Sequence, residues 1–504
     1  MMAENQNKKD INKIMPEIIQ RNSKAIIYLV LFLITFSIVY TSTLNPFLSR
    51  IMNVDTSVYI SITQGITRGH ALYKDMADNK GPLLYLLSVP GFFFGGTTGV
   101  WITELIIIFI SFLFMYKTAL LFTNTKNALL TVFFTSLATH PFYYVNAGTE
   151  EYALPFLAVS FYIFTKHYIS AKAKFFEIVI LGISFACSIM LRLNMFPLWG
   201  GFCLIIIIES VINKKYIDIL KYIVGFILGI LLIFIPVYLY LRSNNAIGDF
   251  FNYVILGGVT RGFRSQLKDS FKIFYTVINR NFSFIPLCTG LILIFTKYKN
   301  INVFYYYGYT VSYLLSVIFL SFSPGNSHYN LILIPFFIPV IIYLSESLLG
   351  LFSKIKYKYL ALIFFFCVAL SEGIIRFSYY LLFHFDSNTP LKIAGKIIDE
   401  NTSPNDKIIN LGWNGYIYPY SERDFASKYI YQAEAFDHIP GAHEEFISAI
   451  KNDNPKIITI YTVDNGGIDQ YKPLWHKDIY ALLETNYIMI DDKHDLKIFL
   501  RNDR

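Results

Sequence analysis

The sequence predicts a polytopic α-helical membrane protein, with about eleven spans plus interfacial helices and a small C-terminal α/β extracytoplasmic domain. Composition is the first reason: 54% of the 504 residues are hydrophobic and 15% are charged, whereas a soluble domain carries roughly 25% charged residues. The mean hydropathy of +0.46 agrees. Charge distribution is the second reason. Residues 1–385 hold 30 basic and 16 acidic side chains (+14), and residues 386–504 hold 13 and 19 (−6), so the net +8 averages two unlike bodies. A soluble enzyme on one membrane anchor is excluded, because so apolar a chain cannot build a wettable surface. The expected division is a cytoplasmic segment at 1–24, a transmembrane body at 25–385 with its first outer loop at 44–98, and a soluble extracytoplasmic domain at 386–504.

A membrane-crossing helix needs about 20 mostly apolar residues. Lys8, Lys9, Lys13, Arg21 and Lys24 precede a charge-free run from Ala25 to Thr43 that is followed by Asn45 and Pro46, not by a small-residue cleavage site. That pattern predicts a retained first span. Further spans are predicted near 99–122, 128–146, 150–169, 175–191, 195–212, 218–241, 283–297, 302–322, 329–349 and 358–383. The apolar run Leu83–Phe94 is too short to cross and is bounded by Gly81-Pro82 and Gly95-Gly96. It is expected to be interfacial or re-entrant.

With the basic N-terminus inside, the inner connections are those carrying Lys117/Lys126, Lys166/Lys172/Lys174, Lys214/Lys215/Lys221, Lys297/Lys299 and Lys354/Lys356/Lys358. All five bear lysine, as the positive-inside rule expects, whereas Tyr143–Thr149 and Ser323–Ser327 hold neither Lys nor Arg. An odd number of spans then places the tail outside the cell. That tail alternates helical patterns (Leu391–Glu400, Glu444–Asn452, Asp478–Thr485) with strand patterns (Lys407–Leu411, Lys456–Tyr461, Tyr487–Ile490, Leu496–Leu500), as in a small α/β domain.

Ionisable groups in such a body are costly and tend to face a cavity or a partner. In the first outer loop Val54, Val58, Ile62 and Ile66 recur every four residues, so a helix beginning at Asp55 and ending near Gly65 or Gly69 is expected, lying flat on the bilayer. Asp55 suits either an N-cap or a catalytic carboxylate. Next comes Tyr73-Lys74-Asp75-Met76-Ala77-Asp78-Asn79-Lys80-Gly81-Pro82-Leu83-Leu84-Tyr85. Lys80, beside Gly-Pro where the chain re-enters the membrane, suits a lipid phosphate or a snorkelling anchor. At 148–155, Glu150 and Glu151 open the fourth span; the helix dipole and a Thr149 cap account for one of them, and the second leaves room for orienting a substrate. His328 reads as a polar helix start or a site residue, and Tyr329 as an interface aromatic or a stacking partner. No Asp-x-Asp metal pattern occurs, so no metal and no cofactor are expected.

The ordered set of Asp55, the Tyr73–Tyr85 stretch, the acidic pair at 150–151 and a many-span body with an outer C-terminal domain resembles the GT-C glycosyltransferases. It is similar in particular to the branch holding protein O-mannosyltransferases and lipid A aminoarabinose transferases (glycosyltransferase family 39-like). The resemblance is strongest over residues 25–200, and 325–335 is similar to a later family segment. Asn79-Lys80-Gly81-Pro82 stands where His-Lys-Pro-Pro is the more familiar form. The resemblance implies transfer of a sugar from a polyprenyl-phosphate donor at the outer face, onto a glycan, lipid or protein of the cell surface. It makes Asp55 the catalytic acid of the first loop, Lys80 the contact to the donor phosphate, and Glu150 or Glu151 the later acidic position. Asp78, Arg192, Arg261, Arg264, His328 and Tyr329 are the further expected substrate contacts, although a basic loop such as 242–282 also suits lipid headgroups. Asp55 would deprotonate an acceptor hydroxyl while the anomeric carbon inverts. Membrane lipids are expected partners, and nucleic acid is not.

A transporter or flippase of a lipid-linked or polar substrate is the alternative. It would show paired, interrupted spans in two related halves; no such repeat occurs, and the notable polar residues gather at one face.

Overall fold

The computed structural model describes residues 24–258 apart from 49, then 301–321, 326–382, and 389–502 apart from 413, 433–438, 440, 462–475 and 494–495. It is a helical bundle carrying a small C-terminal sheet. The first helix, α1 (Lys24–Val39), is followed by α2 (Val54–Thr67), α3 (Leu83–Leu120), α4 (Thr125–Thr139), α5 (Thr149–Ile169), α6 (Phe175–Leu191), α7 (Pro197–Ile212) and α8 (Tyr216–Ser243). Among the described residues, five helical stretches are long and apolar enough to cross a membrane: Leu83–Leu120, Leu193–Ile212, Tyr216–Ser243, Val303–Ser321 and Ser327–Lys354. A sixth results if Lys358–Ala369 and Ser371–Leu382, bent by 80°, form one span. The spans expected near 25–43, 128–146, 150–169 and 175–191 fall on shorter or less apolar helices, and 283–297 lies outside the described residues.

The run Leu83–Phe94 folds back as the first arm of α3. The break is at Gly95 (φ −155°, ψ 17°) and Gly96 (φ 58°, ψ −140°), a conformation that suits glycine. The two arms touch backbone to backbone, since a Cβ on Gly99 would sit 1.9 Å from the Gly91 carbonyl oxygen. A straight helix would hold these residues eight positions apart at about 12 Å, so the chain doubles back here as a helical hairpin.

The helix expected on the bilayer surface is present as α2, but its environment differs from that expectation. Residues Thr56 to Gly65 are buried on every side. The reason is the C-terminal domain, which covers the polar face: Ser61 donates to the Gly415 carbonyl at 2.9 Å, and the Gly415 N–H donates to Ser57 at 3.0 Å.

The C-terminal sheet has the order β2-β1-β3-β5-β4, where β1 is Lys407–Leu411, β2 Asp424–Phe425, β3 Ile457–Tyr461, β4 Tyr487–Lys493 and β5 Leu496–Arg501. Strand β1 runs parallel to β2 and β3, whereas β5 is antiparallel to both β3 and β4. The central strands are nearly continuous runs of Ile and Leu, as expected where helices cover both faces. Helix Thr389–Asn401 packs against β5 and helix His476–Asn486 against β4. The two-residue strand β2 is too short to leave an alternating pattern in the sequence.

Candidate active site

The site is built where α2, the 73–81 loop, the start of α5 and the chain after α6 converge. On α2 the cap is Asn53, whose side chain accepts the Asp55 N–H at 3.0 Å. Asp55 is thus a half-buried first-turn residue, and its carboxylate is not the cap. The adjacent Thr56 donates its hydroxyl to the Asn146 carbonyl at 2.8 Å and accepts the Asn146 N–H at 3.1 Å. These two bonds hook α2 to the segment leading into α5.

The loop that carries Lys80 is tied at several points. Tyr73 lies in the left-handed region (φ 70°), its ring is buried, and its hydroxyl donates to the Lys80 carbonyl at 2.7 Å. The Gly81 N–H donates to the Leu191 carbonyl at 3.1 Å, and a Cβ there would meet the Met190 carbonyl oxygen at 1.9 Å. Only glycine allows this approach, and it docks Lys80 beside the C-terminal end of α6, where Arg192 follows. Asp78 accepts from the Tyr85 hydroxyl, from the Asn79 N–H, and from the Tyr431 hydroxyl of the C-terminal domain at 3.0 Å.

At the start of α5 the two glutamates diverge. Glu150 forms an ion pair with Arg192 and accepts from the Thr149 hydroxyl at 2.7 Å, while Gly148 occupies the cap position expected of Thr149. The Arg192 guanidinium lies 4.0 Å from the Tyr329 ring centroid. Burial works against this cation, but Tyr329 and Glu150 outweigh it and raise its pKa above the ordinary value. Glu151 turns inward, where the Tyr143 hydroxyl donates to it at 3.2 Å. It stands within electrostatic range of Glu104, a fully buried residue of α3 that accepts from the Ser42 hydroxyl and the Ala147 N–H, each at 2.7 Å. Among the described residues neither carboxyl meets a basic side chain. Glu104 went unread in the sequence, although a lone acid inside the apolar run 99–122 is the usual sign of such a residue.

Two further groups locate the rest. Burial raises the Tyr59 phenol well above its ordinary pKa, and Asp55, Asp78, Glu150 and Tyr329 all push it the same way, so all four lie within electrostatic range of this hydroxyl on α2. His328 stands in electrostatic range of Glu150, Arg192 and Lys80, and its Nδ1 lies 3.0 Å from the Tyr144 hydroxyl. Asp55, Asp78, Lys80, Glu150, Arg192, His328 and Tyr329 therefore share one neighbourhood, and Glu151 lies behind it. Arg261 and Arg264 lie outside the described residues. Among the described residues no three His, Cys, Asp or Glu side chains converge as metal ligands would. The neighbourhood combines carboxylates (Asp55, Asp78), cations (Lys80, Arg192) and the buried Tyr59 hydroxyl. Such a site can hold a phosphate and accept a proton.

The backbone as a whole is similar to that of ArnT from Cupriavidus metallidurans bound to undecaprenyl phosphate, at 13% identity over 96% of this chain and 98% of that chain, with a TM-score of 0.65. The apo state of ArnT from the same organism gives 13% identity over 95% and 98%, with a TM-score of 0.63. The archaeal oligosaccharyltransferase AglB from Archaeoglobus fulgidus, in complex with an inhibitory peptide and a dolichol-phosphate, gives 12% identity over 87% and 69%, with a TM-score of 0.53. At such identities the likeness is one of fold, and that fold is GT-C. No curated protein matches the chain. A family model described as the competence-induced protein Ccs4 N-terminal domain matches residues 17–371.

Proposed function

The chain belongs to the family of the competence-induced protein Ccs4 N-terminal domain, and from its GT-C fold and the residues of its candidate site we propose that it is an integral-membrane glycosyltransferase. It takes a sugar from a polyprenyl-phosphate donor at the outer membrane face and gives it to a hydroxyl or amine of a cell-surface glycan, lipid or protein. The observation that supports this reading is that Asp55, Asp78, Glu150 and Tyr329 act electrostatically on Tyr59, and Glu150, Arg192 and Lys80 on His328, with Glu150 and Arg192 ion-paired. The ArnT structure bound to undecaprenyl phosphate and the AglB complex with dolichol-phosphate support a lipid-phosphate donor.

In this mechanism Asp55 accepts the acceptor's proton as its oxygen or nitrogen attacks the anomeric carbon. The bond from that carbon to the phosphate oxygen breaks, and the electron pair leaves with the polyprenyl phosphate. A single displacement inverts the anomeric configuration. Lys80 meets the developing phosphate charge as a compact cation. Arg192 adds a planar fork whose orientation is set by Glu150 and the Tyr329 face. Glu150 is the holder of that fork, Glu151 braces the turn beneath it, Asp78 fixes the Lys80 loop, and His328 lines the phosphate side. No resident metal or cofactor enters these steps.

The test is to incubate purified protein with a panel of polyprenyl-phosphate sugars and score free polyprenyl phosphate. One donor should be consumed by the wild type, and Asp55→Asn should cut the rate by about 10²–10⁴. An Asp55→Asn rate equal to wild type removes the general-base role, and no turnover of any donor removes the enzymatic reading.

A further inference from the structure

A second cavity lies far from this site. It opens between α5, α6, α7 and α8 at the lysine-rich end of the bundle; Glu150 and His167, at the two ends of α5, are about 25 Å apart by helical rise. It encloses about 140 Å³, less than the ~300–1,000 Å³ of drug-sized ligand sites, which suits the end of a slender chain and not a bulky ligand. Its walls are hydrocarbon almost throughout, with Phe164, Leu181, Cys203, Ile207 and Ile223 among them and His167 at one end. Water is a poor occupant, since it needs two to four polar partners.

The shape follows from one glycine contact. A Cβ on Gly182 would come 2.1 Å from the Phe226 carbonyl oxygen, and one on Gly229 would come 2.1 Å from that of Val179. Helices α6 and α8 are pinned there at backbone distance, a small-residue crossing of the kind membranes favour. The cavity lies on the lysine-bearing side of that pin, where Ile178 and Ile219 face it from the two helices. Ile207 and Ile223 line it yet are 40% and 45% exposed, so its mouth opens sideways into the bilayer.

The rim is basic. Lys172 lies 3.0 Å from both Glu209 and the His167 Nε2, so it ties the loop after α5 to the end of α7 beside the cavity, and half of its side chain stays exposed. Exposed Lys214, Lys215 and Lys221 stand at the same end and make no salt bridge among the described residues. Basic pockets between spanning helices suit anionic lipid headgroups.

We propose that this cavity holds one acyl chain of an anionic phospholipid, entering between Ile207 and Ile223, with the lipid phosphate on the Lys172, Lys214, Lys215 and Lys221 rim. The lipid wedges α8 against α5 and α7 where their own side chains leave a gap.

The test uses the full chain in neutral detergent, supplied separately with dioleoylphosphatidylglycerol, dioleoylphosphatidylcholine and inorganic phosphate, and reads thermal unfolding and lipid retention by native mass spectrometry. Phosphatidylglycerol should raise the unfolding midpoint by about 2–5 °C and stay bound, while the other two do neither. Ile223→Trp, at the exposed mouth, should cut retention at least fivefold. Lys214→Gln with Lys221→Gln, a surface pair that leaves the packing alone, should erase the preference over phosphatidylcholine. Equal stabilisation by phosphatidylcholine or by phosphate overturns the proposal, as does undiminished retention in both variants. The readout is independent of sugar transfer.

Discussion

The hydroxyl of Tyr431 donates to the carboxylate of Asp78 at 3.0 Å, across 353 residues of sequence and from the C-terminal domain to the loop that carries Lys80. A second bond runs beside it, from the Ala77 N–H to the Lys428 carbonyl at 2.8 Å. The C-terminal domain therefore braces the loop that carries Lys80. Tyr431→Phe keeps the ring and removes a hydrogen bond to a charged group, worth about 1.5–3 kcal/mol. The expected outcome is a donor KM raised about tenfold with kcat nearly unchanged, read by steady-state kinetics.

Asn53 and Asp55 separate folding from chemistry within one helical turn. Asn53→Ala removes the α2 cap and should cost about 0.5–2 kcal/mol of stability, with transfer largely intact in the molecules that remain folded. Asp55→Asn should do the opposite, lowering turnover while the unfolding midpoint stays put. Thermal unfolding and the polyprenyl-phosphate release assay on the same preparations distinguish the two.

Gly81→Ala should be damaging out of proportion to one methyl group. The added carbon meets the Met190 carbonyl oxygen, which belongs to helix backbone and cannot move aside cheaply. Overpacking of this kind costs about 1–3 kcal/mol, occasionally more. Both the midpoint and the donor affinity are expected to fall, because the displaced residue is next to Lys80.

Glu150 and Arg192 form a buried pair, their side chains 5% and 20% exposed. Removing one partner strands the other, at about 3–5 kcal/mol. Glu150→Ala and Arg192→Ala should therefore each destabilise strongly, and the double variant should destabilise less than the two losses added together. A double-mutant cycle in chemical denaturant measures the difference. Arg192→Lys keeps the charge but loses the flat face over Tyr329, so weaker donor binding is expected.

The Lys428–Glu445 pair, 2.7 Å apart, gives the brace a pH window. Burial favours the neutral Glu445, but the Lys428 ammonium and the Tyr429 hydroxyl outweigh it and hold its pKa below the usual 4.5. A depressed carboxyl pKa stabilises the fold above the unfolded value and loses that effect as pH falls through the folded one. Burial likewise opposes the Lys428 cation, yet Glu445 and Tyr253 raise its pKa above 10.5, so its contribution is present below that value and is lost at still higher pH. The stability gap between wild type and Glu445→Gln should be flat from about pH 5 to 10 and close below pH 4. Because Glu445 is half exposed, the gap should be small.

Much of the fold was legible in local pattern. The apolar runs, the Gly95-Gly96 break and the strand alternation of the tail each depend on residues close in sequence. The Asp55, Lys80 and Glu150 segments stood out for the same reason, being polar groups where the surroundings are not. What escaped notice is non-local. Glu104 takes its partners from Ser42 and Ala147, 62 and 43 positions away. The burial of α2 comes from Gly415 and Phe425, far along the chain, so a helix with a polar face read as one that meets water. That Asn53 is the cap could have been read directly, since Asn stands immediately before the apolar repeat.

The reciprocal bonds between Thr56 and Asn146 have a mechanical corollary. Asp55 precedes one end of that clasp and Glu150 follows the other by four residues, so these two carboxylates travel as one rigid piece. Any widening between this piece and its neighbours must then come from the Lys80 strap or the Tyr329 side, unless both clasp bonds shear at once.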